Sequence, residues 1–310
     1  MGSLIGHVAP GIGFLLIGLW HLFNHIKLHS LHPTTYTSSP WFPSPGFRYA
    51  EPTLIILGTT LSISMELFIG PRRHQPLDDD LTIPSNHLRN FEHASISFSF
   101  LLYAAFAVAL DRARLPRQRD VRAGLAQGLA AVALLQELLA FHLHSTDHVG
   151  VEGQYHWLLQ IVIALTLSAT LIGIPLPKSF LVGFARSVGV CFQGVWFVVM
   201  GYGLYIPAIV PKGCFVNDED GHKVVRCKDE DSLERAKSLV NILFGWFVAA
   251  MVIFSMVFYL EMAKKYVKEQ EYDSLDNGED QDDLKSQKQL EESEHFVHGK
   301  RMMGSFDLEK

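Results

Sequence analysis

Histidine, aspartate and glutamate are concentrated in one short stretch, Gln136–Gln160, with the sequence QELLAFHLHSTDHVGVEGQYHWLLQ. Its ionisable members are Glu137, His142, His144, Asp147, His148, Glu152 and His156. The stretch lies between two long apolar runs, and ionisable side chains in or near a bilayer are costly unless they have a role. Histidine nitrogens and carboxylate oxygens together are ordinary ligands of zinc and similar transition metals. Any chemistry that the protein performs is therefore expected here.

Helical spacing decides which of these side chains can meet. Glu137 and His144 are seven residues apart, so they share a helix face about two turns apart. His142 and His144 are two residues apart and point to nearly opposite faces, so they can bind one ion only if the helix breaks near them. Ser145 and Gly150 favour such a break. The stretch lacks the His-Glu-x-x-His motif of metalloproteases, so the pattern indicates a polar site more specifically than a metal.

Two interpretations of this polar set stay open. In the first, the side chains satisfy one another through hydrogen bonds and line a loop at the membrane surface. In the second, they form an intramembrane zinc-dependent hydrolase acting on a lipid. The candidate zinc ligands are His93, His142, His144, His148 and His156. Glu66 or Glu137 would then be the general base or would orient the ligands, and a metal-bound water would attack the substrate.

Seven apolar runs are long enough to cross about 30 Å of hydrocarbon as helices. They lie at about residues 4–26, 53–70, 90–111, 121–143, 154–175, 181–206 and 237–263. Helices satisfy their own backbone hydrogen bonds and can cross lipid singly, so we expect an all-α, seven-helix transmembrane bundle. The net charge is −6, and no basic stripe suggests nucleic-acid binding. The expected partner is the lipid bilayer.

The sequence changes character after Lys264, where long apolar side chains nearly disappear and charged segments such as EYDSLDNGEDQDD follow. A segment of that composition cannot bury a core. We therefore expect two parts, a seven-span transmembrane domain at residues 1–263 and a disordered acidic cytoplasmic tail at residues 264–310.

Lysine and arginine residues near the spans predict the orientation of the chain. The loop Arg112–Asp120 is basic, and the tail opens with three lysines on the same side, which we take as cytoplasmic. The N-terminus is then outside or lumenal. Five basic residues in the loop Pro207–Arg235 argue against this orientation. However, Cys214 and Cys227 in that loop are either free thiols or a disulfide, and a disulfide is natural on an oxidising side.

Glutamates inside spans need partners. Placing Glu66 or Glu137 against lipid would cost about 2.5–3.5 kcal/mol on insertion scales, so both should face the bundle interior. His93 opens the third span and His144 ends the fourth on the same side. We therefore predict one cluster of Glu66, His93 and His144 near the outer leaflet, with Glu137 about two turns deeper.

The first span carries its own histidines and glycines. His7 is expected to be an interfacial or packing residue. His21 and His25 are four residues apart and could pair, while His25 and the residues after it lead into a loop and are expected to contact water. Gly6, Gly11, Gly13 and Gly18 predict close packing of this span against another helix.

Five stretches resemble the transmembrane protein 45 family, also called the plant viral-response family, and occur in the family's order. They are GHVAPGIGFLLIGLW, ISMELF, NFEHASISFSFLLYA, ELLAFHLHSTDHV…YHWLL and RSVGVCFQGVWFVVMG. The resemblance covers about residues 1–263 and implies a seven-span, multi-pass membrane protein. It implies no activity. Function therefore stays open between two main classes and a third. The first is a non-enzymatic scaffold, carrier or trafficking component, in which the polar set is internal glue or a proton or ion path. The second is the zinc hydrolase, and the third is a haem site formed by histidines on opposing helices.

Overall fold

The computed structural model describes residues 3–70, 75–113, 119–143, 150–219 and 222–303, and for 269–303 it describes the backbone alone. The candidate ligands His144 and His148 lie outside these ranges, as does Asp147. The chain divides into two units, Met1–Tyr259 and Leu260–Lys310.

Seven helices in the described ranges are long and apolar enough to cross a membrane, which confirms the predicted count and the all-α class. They are α1 (Leu4–Leu31), α2 (Ala50–Ser64), α3 (Leu88–Arg112), α4 (Arg119–Leu143), α5 (Gly150–Gly173), α6 (Phe180–Tyr205) and α7 (Glu230–Met303). A π-helical turn, Met65–Ile69, extends α2, and a 3-10 turn, Ser85–His87, precedes α3. The chain is a multi-pass membrane protein.

Exposed apolar side chains on α2 and α7 explain why these helices need lipid. Leu57 and Leu61 on α2 are 64% and 63% exposed, and Trp246 and Ile253 on α7 are 72% and 65% exposed. Apolar surface on that scale is unusual for a protein in water. A lipid bilayer would cover these helix faces.

Glycines allow α1 and α6 to pack antiparallel with their backbones close together. A Cβ atom at Gly18 would lie 2.5 Å from the Cα atom of Cys191, and one at Gly194 would lie 2.6 Å from the Gly11 carbonyl oxygen. Small residues permit this approach between membrane helices. The predicted packing role is confirmed for Gly11 and Gly18, whereas Gly13 faces open space.

The largest apolar core lies among α5, α6 and the first part of α7. Trp196, Met200 and Leu159 have no exposed surface, and Val240 of α7 packs with them. The indole Nε1 of Trp196 donates a hydrogen bond to the Tyr155 carbonyl at 3.0 Å, which satisfies its polar atom inside the core. This core holds α6 firmly against α5.

A β-hairpin forms within the polar loop between α6 and α7. Strand β1 (Cys214–Glu219) pairs antiparallel with β2 (His222–Cys227), and the register puts Cys214 opposite Cys227. The two cysteines form a disulfide, the alternative that the sequence left open. Arg226 donates two hydrogen bonds to Glu219, at 2.7 and 2.5 Å, and holds the pKa of that carboxyl down at about 2.

The backbone of the second unit is helical through Met303. The disordered tail that the composition predicts from residue 264 stays a prediction. Glutamate, lysine, glutamine and leucine are strong helix formers. Lys264 also pairs with Glu261 three residues earlier, at 3.3 Å. Local propensity therefore favours the helix, and the domain boundary at residue 263 stays a prediction.

Candidate functional site

The two ends of the bundle are named here after the segments beside them. The start of α1 and the end of α6 lie together next to the β-hairpin, at the hairpin end. The end of α1 and the start of α6 lie at the strap end, where residues 32–49, the strap, connect α1 to α2. Buried polar side chains occur at both ends and between them.

At the hairpin end, α2 and α3 bring a carboxylate and a histidine together. Nδ1 of His93 lies 3.6 Å from Oε1 of Glu66, and both side chains are mostly buried. Asn90 donates to the other oxygen, Oε2, at 2.9 Å. The predicted proximity of Glu66 and His93 is therefore found. Glu66 also lies in the π-helical turn, a feature that is frequent at functional sites.

A second pair at this end joins α1 to α5. The rings of His7 and His156 are 6.1 Å apart between centroids, and both residues are 3% exposed. His7 donates from Nδ1 to the Ser3 carbonyl at 3.0 Å, and His156 donates from Nδ1 to the Glu152 carbonyl at 2.9 Å. In each neutral ring Nε2 is then the acceptor nitrogen. The sequence predicted an interfacial or packing role for His7 and did not group it with His156.

The zinc prediction concerns residues that are only partly described. His142 is exposed and donates from Nδ1 to Oε1 of Gln160 at 3.1 Å. Within the described ranges, no three histidine, cysteine, aspartate or glutamate side chains are placed to hold a metal ion. His144 and His148 lie outside those ranges, so the predicted ligand set stays a prediction.

Midway along the bundle, Glu137 of α4 meets Gln193 of α6. Nε2 of Gln193 donates to both carboxylate oxygens at 2.8 Å, and the two residues are 1% and 0% exposed. Gln193 is seven residues from Arg186 and eight from Gly201, about 10 and 12 Å along α6. The partner that the sequence required for Glu137 is thus an amide on another helix, at mid-depth.

The strap end contains a network that the sequence did not predict. His21 of α1 donates from Nε2 to Oε1 of Glu51 at 2.7 Å, and both residues are 6% exposed. Oε2 of Glu51 accepts a hydrogen bond from the backbone N–H of Phe42 at 2.8 Å. The start of α2 therefore binds both α1 and the strap through one carboxylate.

Arg186 of α6 completes this network. It donates to Nε2 of His25 at 3.2 Å and to the Ser39 carbonyl at 2.7 Å. Because Nε2 is an acceptor, Nδ1 of His25 carries the proton and donates to the Tyr36 hydroxyl oxygen at 2.6 Å. Burial raises the pKa of Tyr36 to about 12, so the phenol is neutral at pH 7.

The expectation that His25 contacts water is wrong, since its exposed fraction is 0%. The strap folds over the end of α1, and the Phe42 ring lies 4.8 Å from that of His25 and 5.2 Å from that of His21. His21 and His25 each hydrogen-bond to a different partner rather than to one another. An arginine within an apolar span, Arg186, was the available signal for this network.

The arrangement is suited to carrying protons. Histidine–carboxylate pairs occur at both ends of the bundle, as Glu66 with His93 and as Glu51 with His21. A buried carboxyl lies between them at Glu137. Buried histidine and carboxyl side chains inside membrane proteins are typical of proton relays.

Comparison with known families gives a match over the second half of the bundle. Residues 123–260 match the model described as a family of unknown function (DUF716). The matched range runs from α4 into α7 and includes Glu137, His156, Arg186 and Gln193, whereas α1 to α3 lie before it. The family description assigns no activity.

Proposed function

We propose that the protein is a non-enzymatic membrane carrier in which buried polar side chains form a path for protons. The supporting observation is that such side chains occur at three depths along α6. His7 lies at the hairpin end, Glu137 with Gln193 midway, and His25 with Arg186 at the strap end. Buried ionisable groups inside membrane proteins are costly and mark ion and proton pathways.

A scaffold or trafficking component is the less favoured reading of the same bundle. A protein partner would be recognised through exposed side chains. The distinctive polar groups here are instead enclosed, since His7, Glu137 and His25 are at most 3% exposed. A path through the interior accounts for that placement, whereas a docking role does not require it.

Membership of the transmembrane protein 45 family is part of the proposal. The five resembling stretches extend from Gly6 to Gly201, and the match to the family of unknown function covers residues 123–260. The two overlap from α4 through most of α6. Neither supplies a cargo, so the carrier role rests on the placement of the polar side chains.

The orientation is also a proposal. The disulfide between Cys214 and Cys227 supports an oxidising environment at the hairpin end, outside the cell or in a lumen. The basic segment Arg112–Asp120 and the lysines after the seventh span support a cytosolic strap end. In this orientation the N-terminus is outside or lumenal and the C-terminus is cytoplasmic.

The zinc-dependent lipid hydrolase is the alternative, and it depends on His144 and His148. The observation in its favour is that Glu66, His93 and His156 all lie at the hairpin end, where α4 ends. Metal analysis of the purified protein separates the two readings. About one equivalent of zinc, lost in His144→Ala, would support the hydrolase, whereas zinc-free protein that carries protons would support the carrier.

The carrier is tested with the full-length protein in liposomes that contain a trapped pH-sensitive dye. A potassium gradient with valinomycin supplies the driving potential. We expect proton flux well above that of protein-free liposomes, and a return to the protein-free rate in Glu137→Leu. Glu234→Leu, at an exposed position on α7, is the matched control and should keep the wild-type rate. Wild-type flux equal to that of empty liposomes would refute the proposal.

A further inference from the structure

The Glu137 carboxylate lies in the bundle interior, and no described residue brings an opposite charge to it. Gln193 is the one side chain, among those the structure describes, that acts on it through a hydrogen bond or a charge. From the elements packed around it, the described residues bring no ionisable group within interaction range. An isolated carboxylate in an apolar interior is strongly disfavoured, and such a group takes up a proton instead.

Gln193 has a second polar atom that needs a donor. Its Oε1 is fully buried and has no hydrogen-bond partner within the described ranges, although its Nε2 contacts both oxygens of Glu137. Buried acceptors in folded proteins are nearly always satisfied. The described residues supply this site with neither a positive charge nor a donor to Oε1, and a ligand that supplies both explains this most simply.

We propose that Glu137 and Gln193 form a proton-binding site in which Glu137 is held as a neutral carboxylic acid. The added proton makes the carboxyl group a donor to Oε1 of Gln193. After rotation of the amide, its N–H still donates to the other carboxyl oxygen, so the acid and the amide form two complementary hydrogen bonds. Binding adds one proton to the carboxylate and breaks no covalent bond, and release returns the proton to water.

A metal cation fits this site less well than a proton does. Hard cations such as Mg²⁺ and Ca²⁺ take six or more oxygen ligands. In the described part of the chain, the pair offers three side-chain oxygens. An N–H donor already lies 2.8 Å from two of them, where a cation would have to bind. The proton requires only the two side chains present.

The inference rests on the proposed function to explain why the proton would move. The proton-binding site itself can be tested without measuring transport. The full-length protein in lipid nanodiscs is measured by infrared spectroscopy. We expect a C=O stretching band of a protonated carboxylic acid at pH 7, shifted in D₂O and lost in Glu137→Gln. Glu234→Gln, at the exposed position on α7, should leave the band unchanged. A wild-type spectrum without this band at pH 7 would overturn the inference.

Further measurements keep the test decisive if Glu137→Gln folds poorly. In Gln193→Leu the acid loses its hydrogen-bond partner, so the band should persist and move to higher frequency; an unmoved band would count against the pair. Replacing choline with Na⁺ should leave the thermal midpoint of the wild-type protein unchanged. Stabilisation by Na⁺ that disappears in Glu137→Gln would assign the site to sodium and overturn the proposal. If the carboxylic-acid band is present but the liposomes show no proton flux, the carrier is refuted and the proton-binding site is retained.

Discussion

Two buried ionisable side chains in this bundle hydrogen-bond to neutral groups rather than to an opposite charge. Glu137 accepts hydrogen bonds from the Gln193 amide, and Arg186 donates to the His25 ring and the Ser39 carbonyl. Each of these hydrogen bonds joins two segments that are distant in the sequence. Removing one member leaves a buried polar atom unsatisfied, which costs about 1–3 kcal/mol, so these contacts make the packing of the helices specific.

At Gly18 the α1 and α6 backbones lie close together. We expect Gly18→Ala to destabilise the protein by about 1–3 kcal/mol, because the new methyl group would overlap the Cys191 backbone, which cannot move as a flexible side chain would. The thermal midpoint in detergent measures the effect. Gly13→Ala is the matched control on the same helix. It should keep the wild-type midpoint, because nothing lies within 4 Å of that position; equal losses in both variants would contradict the close approach.

At the scale of elements, the strap is held by side chains from α1, α2, α3 and α6. Tyr103 of α3 donates to the Pro40 carbonyl at 2.7 Å, in addition to the contacts made by Glu51 and Arg186. Trp41 and Phe42 of the strap are 7% and 3% exposed. A loop with so many buried contacts behaves as part of the bundle and closes its strap end.

The strap should loosen when Arg186 of α6, which binds it, is replaced. In Arg186→Ala the Ser39 carbonyl and Nε2 of His25 lose their donor inside a buried site, so we expect faster amide hydrogen exchange across residues 36–42. Arg48→Ala is the control, because it removes an exposed ion pair with Asp111 at the same end of the bundle. Unchanged exchange in Arg186→Ala, or equal acceleration in both variants, would show that Arg186 does not hold the strap.

The hairpin is closed by the disulfide between Cys214 and Cys227, which thiol titration can test. Of the three cysteines, Cys191 is the free one among the described residues, so thiol titration of denatured, unreduced protein should detect one thiol and three after reduction. Cys214→Ser should lower stability by about 3 kcal/mol, as a disulfide closing a loop of similar length contributes. Detection of three thiols before reduction, in protein from its native membrane, would show that the disulfide is absent and would weaken the proposed orientation.

For the whole molecule, the two units should respond differently to a protease. The prediction of a disordered tail from residue 264 implies that protease on the cytosolic side cuts within residues 264–310 and leaves residues 1–259 intact. The helical backbone through Met303 has few long apolar side chains to hold it, so such a helix opens readily. Sealed vesicles of defined orientation, with mass analysis of the products, make the measurement. A tail that resists digestion would contradict the predicted disorder.

The same vesicles test the orientation. Seven spans put the two termini on opposite sides, so a tag at Lys310 should be digested from the cytosolic side while a tag at the N-terminus stays protected. A matched sample opened with detergent should lose both tags. Digestion of both tags in sealed vesicles would require an even number of spans, and protection of the Lys310 tag alone would reverse the proposed orientation.

The sequence by itself determined the spans, because apolar runs of this length can satisfy their backbone in lipid only as helices. It also showed that Glu66 and Glu137 need partners, because both fall within apolar runs, where an unpaired charge is costly. The proximity of His93 to Glu66 was predicted, but the partner of Glu137 was decided by the tertiary structure. Gln193 lies 56 residues after Glu137, and Arg186 lies 161 residues after its partner His25. Their contacts depend on the packing of α6 and on the fold of the strap, and spacing along one helix reveals neither.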